Sequence, residues 1–253
     1  MVRDALRVRH QVRAEARDVA DRSVLVMGEA GPEPVIMGAA AVFMKVHRTR
    51  PLPVFAPLAQ FGYRILVPDT LSENPTIVRE LDTLLVQARR RAQVITWHNG
   101  ADDLHVLLNL RRLEGEPRRP GIEAVAEAWK DRGRRDPSTA RCVDTSHDLG
   151  SAGLISDTAT ARGLEPVKSF AGSMQQERAQ QACEALAEAR TDDYAPDVLA
   201  CRVLSSAVTT ALLGGKHAGR LQWEEPLSVY SVLEQVAWQV APSLLGGVPH
   251  ARS

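Results

Sequence analysis

The feature that most constrains the fold is the segment VITWHNGADDLHVLL at residues 94–108, where an apolar run passes through a turn into an amphipathic helical pattern. A helical pattern at residues 75–91 precedes it. An apolar run between helices is typical of a strand buried in an α/β sheet. Asp102 and Asp103 follow this run directly. Because a buried carboxylate is costly unless it is compensated, the segment predicts a helix cap or a functional site.

The remaining apolar patterns give the order of elements along the chain. Strands are predicted at residues 23–27, 35–46, 63–68, 92–98 and 140–146, and helices at residues 3–20, 75–91, 103–113, 121–133, 174–190, 196–213 and 227–240. Adjacent strands come first, and later strands are separated by helices. This order predicts a mixed β-sheet flanked by helices, with a helical C-terminal portion.

The composition is that of an ordinary globular protein. Of the 253 residues, 44% are hydrophobic and 25% are charged, which allows a substantial core. Lys plus Arg and Asp plus Glu both number 31, so the net charge does not indicate a polyanionic partner. The 3 cysteines show no metal-ligand or disulfide spacing, which favours a reduced, cytoplasmic compartment. No apolar run reaches membrane-spanning length and none resembles a signal peptide, so we expect no membrane partner.

Arginine outnumbers lysine and is clustered, which together with the alanine content suggests a GC-rich bacterial genome. Two interpretations of the clusters remain open, namely contacts to phosphates and solvated helix faces. The clusters are Arg3, Arg7, Arg9, Arg13 and Arg17 near the N-terminus, Arg89 to Arg91, Arg111 and Arg112, and Arg134 and Arg135.

Three segments resemble motifs of the DnaQ-like (DEDD) 3′–5′ exonuclease superfamily. In that superfamily a helix leads into a strand ending in His-Asn, with an aspartate four residues after the asparagine; Asn99 and Asp103 have this spacing, and Asp102 does not. CVDTSHDLG resembles the later Asp-Thr strand at Asp144, and TDDYAPDVLACRV resembles the last motif, with Asp197 as its aspartate.

The resemblance implies an RNase H-like mixed β-sheet flanked by helices. It divides the chain into an N-terminal helical extension at residues 1–21, an exonuclease-like domain at residues 22–215, and a C-terminal helix and tail at residues 216–253.

The resemblance also implies two-metal hydrolysis of phosphodiester bonds at the 3′ ends of single-stranded DNA or RNA. Carboxylates would hold two Mg²⁺ or Mn²⁺ ions about 3.5–4 Å apart. The implied metal ligands are Glu29, Asp103 and Asp197; Asp193 or Tyr194 would act beside the attacking water. Asn99, Trp97 and His98 would contact substrate, with Trp97 either stacking on a terminal base or packing in the core.

The first and last motifs depart from the family pattern. The family places an aspartate and a glutamate one residue apart on its first strand, but VLVMGEAG has Met27 at the aspartate position and Glu29 at the glutamate position. A thioether cannot replace a hard oxygen ligand of Mg²⁺. The family's general base is a tyrosine four residues, or a histidine five residues, before the final aspartate; Asp193 and Asp192 occupy these positions, and Tyr194 stands three before.

Three functions therefore remain open. The first is an active 3′–5′ exonuclease. The second is a catalytically inactive module of the same fold that binds nucleic acid or protein. The third is an unrelated α/β protein whose acidic turns only cap helices. The sequence does not distinguish DNA from RNA, and it gives no oligomeric state.

Overall fold

The computed structural model describes residues 6–9, 36, 38–47, 49–55, 61–110, 118–133, 140–150, 155–167, 181, 195–224 and 226–236. The described part has a mixed α/β fold. Its strands are β1 Leu6–Arg9, β2 Gly38–Met44, β3 Leu52–Pro53, β4 Phe61–Leu66, β5 Val94–Trp97, β6 Arg141–Asp144, β7 Leu164–Glu165, β8 Leu221–Gln222 and β9 Leu227–Ser228. Its α-helices are α1 Asn74–Arg91, α2 Gly100–Asn109, α3 Pro120–Lys130, α4 Thr145–Asp148, α5 Ile155–Ala161, α6 Ala195–His217 and α7 Val229–Val236.

The larger strands form two groups. β2 pairs antiparallel with both β1 and β4, and β1 also lies against β5. β5 and β6 pair in parallel, with Trp97 opposite Asp144. Two short parallel pairs, β3 with β8 and β7 with β9, complete the pairing. Because Trp97 and Asp144 end their strands, β5 and β6 place both residues at the same edge.

The two faces of β2 contribute to two hydrophobic cores. Ala40, Val42 and Met44 pack in a core with residues of α6 and α7, whereas Ala39 and Ala41 belong to a core with α1, α2 and α3. This alternation follows from the period of two along a strand. Helices therefore cover both faces of the strands.

Helix α6 is the central helix of the first core. Within Pro196–His217 an 18-residue window has a mean hydropathy of 1.5, and among the described helices it alone is long and apolar enough to cross a membrane. That window is 89% buried inside the protein. Gly214 permits close approach to β5, because a Cβ at this position would overlap the side chain of Thr96. Packing against the strands therefore accounts for the apolar composition of α6.

The crossing of α1 and α3 is close and contains a buried carboxylate. A Cβ on Gly121 would overlap the backbone of α1 at Asp82 and Val86. The Asp82 carboxylate accepts a 2.8 Å hydrogen bond from the backbone N–H of Ile122, in the first turn of α3. Burial raises the pKa of Asp82, although hydrogen bonds from the backbone of Ile122 and Gly121 act in the opposite direction. Asp82 thus caps α3 from the middle of α1.

Most predicted elements are confirmed. The strands predicted at residues 35–46, 63–68, 92–98 and 140–146 correspond to β2, β4, β5 and β6, and the helices predicted at residues 75–91, 121–133 and 196–213 correspond to α1, α3 and α6. The coarse prediction of an α/β fold is confirmed. The described strands pair as one three-stranded antiparallel sheet and three two-stranded parallel sheets. The strand predicted at residues 23–27 lies outside the described residues, as does the helix at 174–190 apart from residue 181.

Several local predictions are wrong. The helix predicted over residues 3–20 fails at Leu6–Arg9, which form β1; Leu6 and Val8 alternate with arginines, and this period of two fits a strand. Helix α2 begins at Gly100, three residues before the predicted start. Leu227–Ser228 form β9 rather than the start of the last helix, and α5, β7 and β8 were not predicted.

We expect Gly121→Ala to destabilise the protein by about 1–3 kcal/mol, because the added Cβ meets the backbone of α1 and the helices must separate. Gly133→Ala is the matched control, since a Cβ there meets nothing within 4 Å. Urea unfolding measures both free energies. Equal stabilities for the two variants would contradict the close crossing.

Candidate functional site

Polar side chains converge where β5 and β6 end. Trp97 ends β5, and His98 and Asn99 form the turn into α2. Asp144 ends β6, and Thr145 begins α4. Of these five residues only Asn99 is exposed. The edge is therefore a buried polar cluster with one exposed residue at its turn.

The Asp144 carboxylate is the centre of this cluster. Its Oδ1 accepts hydrogen bonds from the backbone N–H of Asn99 at 3.2 Å, and from the backbone N–H and the Oγ of Ser146 at 3.1 and 2.7 Å. Its Oδ2 accepts from the backbone N–H of Gly100 at 3.0 Å and from the Trp129 indole Nε1 at 3.4 Å. Both carboxylate oxygens are occupied by donors of the protein, which makes Asp144 a structural group.

These donors keep Asp144 ionised. Burial would raise its pKa, but hydrogen bonds from the side chain and backbone of Ser146, from Trp129 and from Gly100 outweigh burial and hold the pKa below the ordinary aspartate value. The carboxylate also lies at the N-terminus of α2, where the helix dipole favours a negative charge. Helix α2 is therefore tied to β6 through one anion.

Asn99 makes this geometry possible. It has φ 61° and ψ 38°, and among the described residues it is the one non-glycine residue with positive φ. Asparagine tolerates this left-handed conformation better than most residues. Its side chain forms no capping hydrogen bond to α2. The turn instead directs two successive backbone N–H groups, of Asn99 and Gly100, towards Asp144.

Asp103 is the buried member of the aspartate pair. It lies in the first turn of α2, whereas Asp102 beside it is exposed. The Trp97 indole Nε1 donates a 2.8 Å hydrogen bond to Asp103 Oδ2, and the Asp103 backbone N–H bonds to the Asn99 carbonyl at 3.0 Å. The indole therefore compensates part of the cost of burying this carboxylate.

The aromatic and imidazole side chains of the cluster are internal. Trp97 is fully buried and packs edge-on against Trp129, with ring centroids 6.0 Å apart. The structure therefore shows the predicted core packing of Trp97. The predicted stacking of Trp97 on a terminal base is wrong, since neither face of its ring is exposed. Thr145 Oγ1 donates to the Trp97 carbonyl at 3.3 Å and lies 3.0 Å from His98 Nδ1, so its oxygen can accept from an Nδ1–H of His98. His98 is 4% exposed, which leaves little surface for a substrate.

Of the remaining predicted site residues, only Asp197 lies in the described part of the chain. Asp197 is exposed in the first turn of α6. Glu29, Asp193 and Tyr194 lie outside the described residues, as does Met27. In the described part of the chain, no three His, Cys, Asp or Glu side chains are placed to hold a metal ion. Asp103 and Asp197 remain the two predicted ligands on which the structure gives information.

The structure adds two polar groups that sequence reasoning missed. Trp129 donates to Asp144 from α3, and Arg119, which is 4% exposed, donates from Nη1 to the carbonyls of Leu107 and Leu110 at 3.2 and 3.3 Å. Arg119 thus neutralises the C-terminal end of α2, opposite Asp144. The Asp-Thr-Ser sequence at Asp144 carries an N-cap signal, but nothing in the sequence marks Trp129 as a donor to Asp144 or Arg119 as a donor to the end of α2.

Comparison with known proteins gives no relative: no protein family model, no curated protein and no solved structure matches the chain.

We expect Asp144→Asn to destabilise the protein by about 2–4 kcal/mol. The NH₂ group of the new amide would face N–H donors, and the buried N–H groups would no longer have an anionic acceptor. The lowered pKa means that the contribution of Asp144 is present above the unfolded-state pKa of about 3.9 and is lost as the pH falls through the folded-state pKa. The gap between wild type and variant should therefore shrink below about pH 4. Urea unfolding at several pH values measures it, with the exposed Asp131→Asn as the control; a gap independent of pH would contradict the assignment.

We expect Trp97→Phe to cost more stability than Trp129→Phe. Both indoles are buried, but Trp97 donates at 2.8 Å to Asp103, whereas Trp129 donates at 3.4 Å to Asp144. Loss of the shorter bond to a buried charged group should add about 1–3 kcal/mol. Thermal or urea unfolding of the two variants measures the difference, and the reverse order would show that Asp103 does not depend on Trp97.

Proposed function

We propose that the protein is an exonuclease-like protein of RNase H-like fold that hydrolyses phosphodiester bonds from the 3′ ends of single-stranded nucleic acid. The observation that carries the proposal is the position of Asp103. It is buried behind the end of β5, in the first turn of α2, four residues after the asparagine of the turn. This is the location that the second exonuclease motif implies.

The arrangement of strands supports the RNase H-like part of the proposal. β4, β2 and β1 are antiparallel neighbours, β1 lies against β5, and β6 continues in parallel with β5. The antiparallel sheet β4–β2–β1 thus adjoins the parallel sheet β5–β6 through the contact of β1 with β5. Helix α1 connects β4 to β5 along the chain, and α6 packs across the strands. An antiparallel group followed by a parallel pair is the order expected for that fold.

The chain's own residues would prepare the site as follows. The hydrogen bond from Trp97 orients the Asp103 carboxylate. The hydrogen bonds from Asn99 and Gly100 to Asp144 hold the first turn of α2, which contains Asp103. Glu29, Asp103 and Asp197 are the oxygen donors that would hold Mg²⁺ or Mn²⁺. When bound, such ions supply an activated water and stabilise the leaving oxygen.

A second candidate is a binding module of the same fold without catalysis. The favouring observation is that β1, which lies between β2 and β5, contains Leu6, Arg7, Val8 and Arg9 and no carboxylate. Met27 at the predicted aspartate position points in the same direction. Such a protein would hold a nucleic-acid end or a protein partner without cutting it.

Degradation of a 3′-labelled oligonucleotide with Mg²⁺ or Mn²⁺ distinguishes the two candidates. If the first is correct, wild type releases 3′ nucleotides and Asp103→Asn lowers the rate by roughly a hundredfold, because a bound metal contributes several kcal/mol. Asp102→Asn, at the exposed neighbouring position, is the matched control and should retain activity. Oligonucleotide binding without degradation, in a folded protein, would favour the second candidate.

Met27→Asp tests the predicted first motif directly. If Met27 occupies the position of the missing ligand, the variant should bind Mn²⁺ more tightly than wild type and gain nuclease activity, because a hard oxygen donor replaces a thioether. Calorimetric titration with Mn²⁺ and the degradation assay measure the two effects. An unchanged affinity for Mn²⁺ would show that residue 27 does not face the site.

A further inference from the structure

Four arginines stand where the chain enters β5 and β6, at the opposite end of the pair from Asp144. Arg89, Arg90 and Arg91 form the last turn of α1, which leads through Ala92 and Gln93 directly into β5. Arg141 begins β6 opposite Val94, and its backbone N–H bonds to the Gln93 carbonyl at 2.8 Å. We call Arg89, Arg90, Arg91 and Arg141 the arginine edge.

Within the described part of the chain, the arginine edge has no counter-charge in contact with it. Arg90, Arg91 and Arg141 are exposed and Arg89 is partly buried. No ion pair or side-chain hydrogen bond joins any of the four to another described residue, whereas other cations do form ion pairs: Arg64 with Glu80, Lys130 with Glu127 and Arg132 with Asp148. Because like charges repel, a bound external anion would stabilise these four arginines.

The helix dipole explains only part of this surface. The partial negative charge at the C-terminus of α1 stabilises cations in its last turn, which accounts for Arg89, Arg90 and Arg91. Arg141 lies on a strand, where no such dipole acts. Burial raises the pKa of the Cys142 thiol of β6, and the positive charges of Arg89 and Arg132 act in the opposite direction, which places Arg89 near β6.

The residue type and position favour a phosphodiester backbone as the anion. Guanidinium groups bind phosphate through two parallel N–H donors and keep their charge. Val94 and Trp97 are three strand positions apart, so the arginine edge lies about 10 Å along β5 from the turn that leads to Asp103. A nucleic-acid strand whose 3′ end lies at Asp103 could therefore continue onto these arginines.

We propose that the arginine edge binds the backbone of a single-stranded nucleic acid, upstream of an end held at Asp103. The position of the end rests on the proposed function, but the binding itself requires no hydrolysis. Such a contact recognises phosphates rather than base sequence and depends on salt concentration.

Binding of a fluorescent oligothymidylate, followed by anisotropy in EDTA over a salt series, tests this proposal. The test variant replaces all four arginines of the edge with glutamine. The slope of log K against log salt should become shallower by about 0.7 for each lost phosphate contact, up to about 2.8 for four, and affinity at fixed salt should fall by about tenfold or more. The matched control makes the same charge change at four other exposed arginines, Arg50, Arg79, Arg118 and Arg162. The control should keep the wild-type slope.

The alternative outcomes test the arginine edge and the proposed hydrolysis separately. Absent binding by folded wild type, or equal effects of the two quadruple variants, would show that the arginine edge is not a specific contact. Arginine-edge-dependent binding to phosphatidylserine vesicles, with oligonucleotide binding unchanged, would assign the surface to a membrane. Salt-dependent binding lost only in the test variant, without Mn²⁺-dependent degradation by wild type, would retain the arginine edge and reject the proposed hydrolysis. Unchanged oligonucleotide binding by the test variant, together with Mn²⁺-dependent degradation by wild type, would reject the arginine edge and retain the proposed hydrolysis.

Discussion

One buried carboxylate holds the candidate site together. Asp144 joins the end of β6 to the turn before α2, to the first turn of α4 and to Trp129 of α3. If this anion were absent, the N–H groups at the start of α2 would be buried without acceptors, which is more costly than the loss of ordinary hydrogen bonds. The position of Asp103 depends on this junction, because Asp103 stands one turn into α2. Arg119 completes the arrangement at the other end of the helix.

The same solution recurs at α3. Neither α2 nor α3 is capped by its own N-cap side chain; Asp144 supplies the acceptor for α2 and Asp82 supplies it for α3. Helices α2 and α3 have 10 and 11 residues, and helices of this length are only marginally stable in isolation. Carboxylate acceptors from distant segments stabilise both helices in the folded protein. Carboxylates used in this way are saturated by protein donors. They can therefore mark an acidic site in the sequence while contributing no ligand to a metal.

Local periodicity was sufficient to predict α1, α3, α6 and the strands β2, β4, β5 and β6. It failed where tertiary pairing decides the structure. The alternating pattern at residues 6–9 is shorter than the arginine-rich helical pattern around it, so the sequence predicts a helix there. Pairing with β2 makes this segment a strand. Motif spacing singles out Asp103 rather than Asp102, and the structure buries Asp103 and exposes Asp102, yet the indole donor to Asp103 could not be predicted. The Asp144 network was also beyond sequence reasoning, because its donors lie up to 45 residues away.

The turn at Asn99 and Gly100 has a further consequence for the chemical lifetime of the protein. An exposed Asn-Gly pair is the dipeptide most prone to deamidation, in which the glycine nitrogen attacks the asparagine side chain. Here that nitrogen donates its hydrogen to Asp144 Oδ2, and the left-handed backbone of Asn99 is fixed by the same carboxylate. The attack would require this hydrogen bond to break and the buried anion to lose a donor. The contact that orders the turn therefore also protects it from ageing into isoaspartate.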